Sequence, residues 1–459
     1  MESIHLIGIA GSGMLPLAEL ALKRGMRATG SDRLVRDPGN LESLSPPIRL
    51  RLQRLMDLGA QIFPQDGSGV TRETVRAVYS TAIEKDNPDR LKAESFGVPL
   101  LHRSEELKNQ IAGHRLLAVA GTSGKSTTTA MCAWLLQAIG ELGCFVGGSD
   151  ILDASDSMTG WSQVYVSQGQ WACVELDESD KSLLRFAPET ALILNIARDH
   201  HSLEENLDIF YEFSRNVQAI LLLNESDSSC RALADRLGSD ARIHWFAPPA
   251  PQAVFHLPDG VGFLFEGERF ETPHIGRHNA ANLLAALAAV RLTAPSASLR
   301  TLQEAAKTFP GIRRRLQRYG CGLVAVFDDY AHNPDKIAAL LEALQLRYPR
   351  LHLVFQPHGY QPLRFHLDGF AQTLTAGLRP EDYLYLLPVY DAGGTTNRSI
   401  SSKDLADKIP PPNVHLPASR EEALNMLQQR VRSGDAVAVA GARDDALAEF
   451  AQRIAERFS

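Results

Sequence analysis

The sequence predicts an α/β protein of three domains with mostly parallel sheets. Three observations carry this reading. Short apolar strands alternate with helical patterns along the whole 459-residue chain. Strand after strand ends in a loop of Gly, Asp, His or Pro, as the ligand-bearing carboxyl edge of a parallel sheet does. The chain is also too long for one ordinary core, which argues for two to four domains. The boundaries expected are 1–112, 113–316 and 317–459.

The first domain opens with the strand "IHLIGIA" (residues 4–10), then Gly11 and Gly13, then a helical pattern through Leu22. "RATGSD" reads as a second strand ending at Asp32, and "AVYSTAI" (77–83) as a later strand of the same sheet. Strand, glycine turn, helix, strand and acid in that order predict a Rossmann-like unit. The stretch 36–50 is rich in turn residues and reads as a loop or short insertion. A dinucleotide-binding turn is one reading of the glycines. They fall at Gly8, Gly11 and Gly13, however, and the fingerprint's third glycine falls on Pro16, which counts against NAD.

The central domain begins with the strand "RLLAVAG", the loop "TSGKS" and the helix "TTTAMCAWLLQAIG". Gly121, Thr122, Gly124, Lys125, Ser126 and Thr127 resemble a phosphate-binding loop whose first glycine is replaced by Val119. Glycines let backbone N–H groups turn toward phosphate oxygens, and the helix adds its positive end. Lys125 can reach the terminal phosphates and Ser126 can ligate Mg²⁺. A nucleotide site of this P-loop ATPase type also needs a carboxylate at a neighbouring strand end. "WACVELDESD" (171–180) supplies Glu175, Asp177, Glu178 and Asp180, with Glu175 nearest the strand. "TALILNIARDHH" (190–201) ends another strand in Asp199, His200 and His201. His200 is the candidate for a second metal ion or for the substrate carboxylate. "HNAANLLAALAAVRL" (278–292) is apolar almost all round and reads as a buried helix.

The third domain shows "LVAVFDDYAHNP" (323–334), "LHLVFQPH" (351–358), "DYLYLLPVYDAGG" (382–394) and "DAVAVAGARD" (435–444), with helical patterns between them. Each is a strand running into a polar loop. Together they predict a second Rossmann-like α/β sheet.

Composition narrows the function. The formal charge of −7 comes with no long basic run, which argues against a nucleic-acid binder. No apolar stretch reaches the ~18–20 residues that span a bilayer. The start "MESIHLIGIAG" has no basic segment ahead of a signal core. The five cysteines are scattered, with no C-x-x-C, which fits a reducing cytoplasm.

Taken together, several stretches resemble the Mur ligase family of peptidoglycan synthesis, in the branch that acts on UDP-N-acetylmuramic acid. They are "HLIGIAGSGM", "TGSD", "STAIEKDNP" (80–88), "GTSGKSTTT", Glu175 to Asp180, Gly276 to Asn282, Gly311 to Arg315, Asp328 to Pro334 and Phe355 to His358. The family's loop lacks the early glycine as well.

The resemblance implies an ATP- and Mg²⁺-dependent ligase that phosphorylates the sugar-borne carboxylate and passes the acyl group to an amine. It implies a UDP-sugar site at Gly11, Ser12, Gly13, Met14, Ser31, Asp32, Ser80 and Thr81. It places Lys125, Glu175, His200 and His332 in catalysis, with Ser126, Glu175 and His200 toward metal. His278, Asn279 and Asn282 would lie near adenine and ribose, and Arg314 and Asp329 over the nucleotide. His332, His358 and Arg364 would line the acceptor side. The partners implied are UDP-N-acetylmuramate and an acceptor, in a monomer or homodimer.

The chain departs from the family pattern in places. Ser123 replaces a His before the loop glycine, and Asn333 replaces a second His. Gly359 and Pro362 stand where arginines usually sit, in the region that reads the acceptor carboxylate. The resemblance implies L-alanine as the acceptor, and these departures leave a tripeptide (L-Ala-γ-D-Glu-diaminopimelate) as the alternative. A nucleotide-binding module without ligase activity remains the reading from another class.

Overall fold

The computed structural model describes residues 2–37, 39–152, 162–198, 201–320, 322–391, 397–410 and 413–459. The chain divides into two compact units. The first comprises Met1–Val254, Gly262–Thr272 and Ala280–Ile312, and the second Phe255–Val261, Pro273–Asn279 and Arg313–Ser459.

The first unit carries two large sheets. One has five strands in the order Gln61–Pro64, Arg27–Asp32, Ser3–Ile7, Arg76–Tyr79 and Leu100–His102, all parallel. The other has seven, in the order Ile243–Phe246, Ile220–Asn224, Thr190–Ile193, Arg115–Ala120, Trp171–Glu175, Leu142–Val146 and Val164–Val166. Only its last pair is antiparallel. The central strands are apolar without alternation because helices cover both faces. Leu117 to Ala120 and Ala172 to Val174 are all fully buried.

The second unit has a six-stranded sheet in the order Gln317–Tyr319, Ala325–Asp329, Ala436–Ala440, Leu351–Phe355, Tyr383–Leu386 and Val414–His415. It is parallel except at its first pair. Apolar clusters lie on both of its faces, one around Leu353, Phe355 and Phe370, the other around Val354, Val439 and Phe450.

Two sequence expectations change. The stretch 36–50 does not stay a loop throughout, since a helix runs over Pro46–Asp57. Ser45 sits at its N-cap and proline at its first turn, where a missing N–H costs nothing. The prolines thus start an element that buries Leu52 and Leu55. The strand expected over 77–83 covers Arg76–Tyr79 and then turns, with the Ile83 N–H donating to Ser80 O at 3.0 Å.

The two sheets of the first unit are tied together by one buried carboxylate. Glu19, on the helix Leu15–Lys23, is fully buried. It accepts from Lys23 at 3.0 Å, Arg54 at 2.8 Å and the Ser162 hydroxyl at 2.7 Å. Its neighbour Leu20 packs into the core of the seven-stranded sheet. Removing one partner of a buried ion pair typically costs about 3–5 kcal/mol, because the other charge stays uncompensated. Glu19→Ala is therefore expected to destabilise the protein by about that amount, read as a drop in the urea midpoint.

Candidate functional site

The phosphate-binding loop is built by strand ends. The buried strand Arg115–Ala120 delivers Gly121, and the helix Lys125–Ala138 starts four residues later behind Gly124. At Gly124 the backbone is left-handed (φ +84°), and a Cβ would stand 2.8 Å from Asn282 Oδ1. The backbone conformation favours glycine there, and a side chain would also displace Asn282.

The loop is held from the end of the neighbouring strand Thr190–Ile193. Asn195 Nδ2 donates to Ser123 O at 3.0 Å, and its Oδ1 accepts from Ser123 N at 2.8 Å. The Thr122 hydroxyl donates to Ala197 O at 3.3 Å and accepts from Ala197 N at 2.9 Å. Sequence reasoning missed Asn195. Its signal was an amide directly behind an apolar strand, passed over for the charged residues that follow.

Lys125 and the acid loop meet as expected. Lys125 Nζ donates to Glu178 at 2.8 Å and lies 3.2 Å from Asp177. Ser126 Oγ donates to Glu175 Oε1 at 3.1 Å, and Glu175 Oε2 accepts from Gly148 N at 2.7 Å. A Cβ on Gly148 would stand 2.8 Å from both carboxylate oxygens, so a bare backbone is needed beside Glu175.

Burial raises the pKa of Glu175 and of Glu178 above the usual carboxylate range, against the pull of Lys125. Burial also acts to raise Asp177, but the Lys125 charge and the Ser179 hydroxyl outweigh it and hold this carboxyl low. Burial disfavours the Lys125 ammonium, yet Glu178 and Asp177 keep its pKa raised. Three carboxylates around one ammonium leave negative charge in excess. Among the described residues no three His, Cys, Asp or Glu side chains form a metal cage. A hydroxyl and a carboxylate 3.1 Å apart instead suit Mg²⁺, which takes one or two protein oxygens and fills its shell with water and phosphate. Asp199 and His200 lie outside the described residues. His201 Nε2 is 3.1 Å from Ser179 O.

At the first sheet, Gly11 N donates to Gly8 O at 3.0 Å and closes the glycine turn. Gly11 and Ser12 are exposed, Gly13 is half-buried, and Met14 is buried at the start of the helix. Asp32 accepts from Ala10 N at 3.2 Å and Leu34 N at 3.1 Å, which pins the turn to the second strand. Ser31 is fully buried, and its one hydroxyl hydrogen is committed to Asp89. Ser80 is half-buried and Thr81 exposed. Arg103, which the sequence reading passed over, connects this turn to the acid loop. Its Nη1 lies 3.0 Å from where a Gly13 Cβ would stand, and its Nη2 pairs with Asp180.

In the second unit, Arg314 is buried with a left-handed backbone (φ +58°). Its guanidinium donates to Asp328 at 3.1 and 3.3 Å, to Gly441 O at 2.8 Å and to Asp444 O at 3.2 Å. Burial still pushes Asp328 up to about 6. Asp329 accepts from Leu316 N at 2.7 Å and Ala331 N at 2.8 Å. These bonds make Arg314 and Asp329 the fasteners of their own loops.

His332 donates from Nδ1 to Tyr330 O at 2.8 Å and packs edge-on against His358, with ring centres 4.9 Å apart. Burial, helped by the Lys336 charge, pushes its pKa down to about 2. Asn333, the departure from the family pattern, caps the helix Pro334–Gln345 by accepting from Lys336 N at 3.0 Å. Arg364 Nη2 donates to Ser399 Oγ at 3.0 Å. Burial lowers the pKa of His278, and Asn279 donates to Ile275 O at 2.8 Å.

Family models match the chain in succession. "Mur ligase family, catalytic domain" covers residues 3–38 and 49–115, "Mur ligase middle domain" 119–290, and "Mur ligase, glutamate ligase domain" 314–443. The UDP-N-acetylmuramate–L-alanine ligase of Gloeobacter violaceus is 31% identical over 96% of this chain and 93% of its own. That of Paenarthrobacter aurescens is 33% identical, over 96% and 94%. The chain belongs to the Mur ligase family. Solved members share the fold of this Mur ligase. The UDP-N-acetylmuramate-alanine ligase of Thermotoga maritima matches with a TM-score of 0.77 at 23% identity, covering 100% of this chain and 99% of its own. A murein peptide ligase of Psychrobacter arcticus matches at 0.65 and 20%, with 100% and 99% coverage.

Two outcomes follow from the geometry. Mur ligases use ATP, so Asn195→Ala, which frees both sides of Ser123, is expected to weaken ADP binding. The loss should be about 1–2 kcal/mol by titration calorimetry. With a pKa of about 2, His332 should stay neutral, with its proton on Nδ1, from pH 5 to pH 9 in an imidazole ¹⁵N titration.

Proposed function

We propose that this Mur ligase joins L-alanine to the carboxylate of UDP-N-acetylmuramic acid, converting ATP to ADP and phosphate, in the synthesis of peptidoglycan precursors. A carboxylate is a poor electrophile. Its oxygen therefore attacks the γ-phosphorus, ADP leaves, and an acyl phosphate forms. The amine of L-alanine attacks the acyl carbon, and the tetrahedral adduct collapses with loss of phosphate. The reading carries a cytoplasmic location with it, where ATP and nucleotide sugars are available.

The observation that carries the proposal is the meeting of Lys125, Ser126 and Glu175 behind a preset loop, in a chain whose full-length relatives bear this activity in their names. In the proposal, the Lys125 ammonium and the loop N–H groups hold the charge that develops on the transferring phosphoryl group. Ser126 and Glu175 would hold Mg²⁺, which supplies neutralisation of the β- and γ-phosphates. His332, neutral and with its Nε2 lone pair turned to Lys336 Nζ at 3.5 Å, would line the acceptor side but is too weak a base to take the amine's proton for long. The glycine turn with Asp32 would seat the UDP portion. A tripeptide acceptor is the second reading, favoured by the small side of the site at Gly359.

Phosphate release is expected to require both UDP-N-acetylmuramate and an amine. L-alanine should give the highest kcat/KM in a panel with glycine, L-serine and the tripeptide. Preference for the tripeptide would select the second reading, and release without either substrate would overturn both. Lys125→Ala is expected to lower kcat by roughly 10²–10³-fold or more.

A further inference from the structure

Arg443 lies near the carboxyl edge of the six-stranded sheet, where Arg315 is set over the Tyr330 ring. It follows the strand Ala436–Ala440, whose two sheet neighbours are Ala325–Asp329 and Leu351–Phe355. Those three strand ends are where an open parallel sheet takes its ligands. Arg443 holds a left-handed backbone (φ +66°), a conformation disfavoured for any residue with a side chain. Glycine would avoid that cost.

The surroundings leave the charge of Arg443 available. Arg314 is committed to Asp328, Arg420 to Asp444, Arg398 to Asp391 and Arg364 to Ser399. The two acids that follow Arg443 are turned to other cations, Asp444 to Arg420 and Asp445 to Arg314 at 4.0 Å. Among the described residues the Arg443 guanidinium has no hydrogen-bond or ion-pair partner. Its backbone N–H donates to the Tyr330 hydroxyl at 3.4 Å. Its Nη1 lies 3.6 Å from where a Cβ on Gly359 would stand, so the bare backbone of Gly359 leaves room before it. Tyr330 packs against His332, and His332 against His358, next in sequence to Gly359.

We propose that Arg443 is the specificity residue that reads a carboxylate of the acceptor. This rests on the ligase reading above, in which the acceptor is an amino acid or peptide. An exposed guanidinium fork with no internal partner matches a carboxylate with two parallel hydrogen bonds. The strained backbone is retained because the side chain must leave the loop in that direction.

The test uses the full-length enzyme and whichever of L-alanine or the tripeptide the wild type ligates, beside the same acceptor with its carboxylate converted to a carboxamide. Arg443→Gly, which relieves the strain, should raise KM for the carboxylate acceptor roughly 10- to 100-fold. KM for ATP and for the UDP-sugar should hold. The carboxamide should be used as before, so that discrimination between the two acceptors collapses. Arg443→Lys should recover part of the loss. A variant that keeps wild-type discrimination, or that slows both acceptors equally, overturns the assignment while leaving the ligase reading intact. A wild type that ligates no acceptor overturns both.

Discussion

An ammonium group set among carboxylates can be assembled only by parts of the chain that are far apart in sequence. Lys125 needs Asp177 and Glu178 from the neighbouring strand end, and Ser126 needs Glu175. The parallel register of the central sheet provides this, since Val119 lies opposite Glu175. The rest of the first unit's site follows from that pairing. Gly148 must be bare because Glu175 turns one oxygen onto its backbone. Asn195 must clamp Ser123 because a loop that carries a charge balance cannot wander without exposing buried carboxylates to a cost of several kcal/mol. The excess of negative charge left after Lys125 is counted explains how so few protein ligands could serve a hard cation.

The second unit solves a different problem with the same chemistry. Its loops at the carboxyl edge are fastened by buried charge, Arg314 to Asp328 and two carbonyls, and Asp329 to two backbone N–H groups. Fastening of this kind fixes where Tyr330, His332 and Arg443 stand. His332 is kept neutral by burial and by the Lys336 ammonium, which its Nε2 lone pair faces at 3.5 Å.

Much of this was legible in the sequence, because it is local. Strands such as "LLAVA" and "WACVE" end in chemistry-bearing loops, and a loop's glycines, lysine and hydroxyl lie within six residues. What was not legible depends on which loops meet. Arg103 sits in an ordinary helix start, and nothing nearby tells that it bridges Gly13 and Asp180. Asn195 looked inert beside acids and histidines. Asn333 looked like a lost functional group, yet it caps a helix. The prolines at 46 and 47 were read as loop, because the same residue type serves to break a helix and to begin one. His200 falls outside the described residues.

The carboxylate of Glu19 has a bearing on how this chain can be dissected. It receives hydrogens from a helix of the first sheet's layer, from Arg54, and from Ser162 at the edge of the second sheet, while Leu20 beside it sits in the second sheet's core. A gene fragment ended near residue 112 would carry both residues away, leaving a hollow under the seven-stranded sheet and an anion stripped of a neighbour on the excised piece. Shuffling the segment of the five-stranded sheet between relatives would have to transfer Ser162 and the lining around Leu20 along with it.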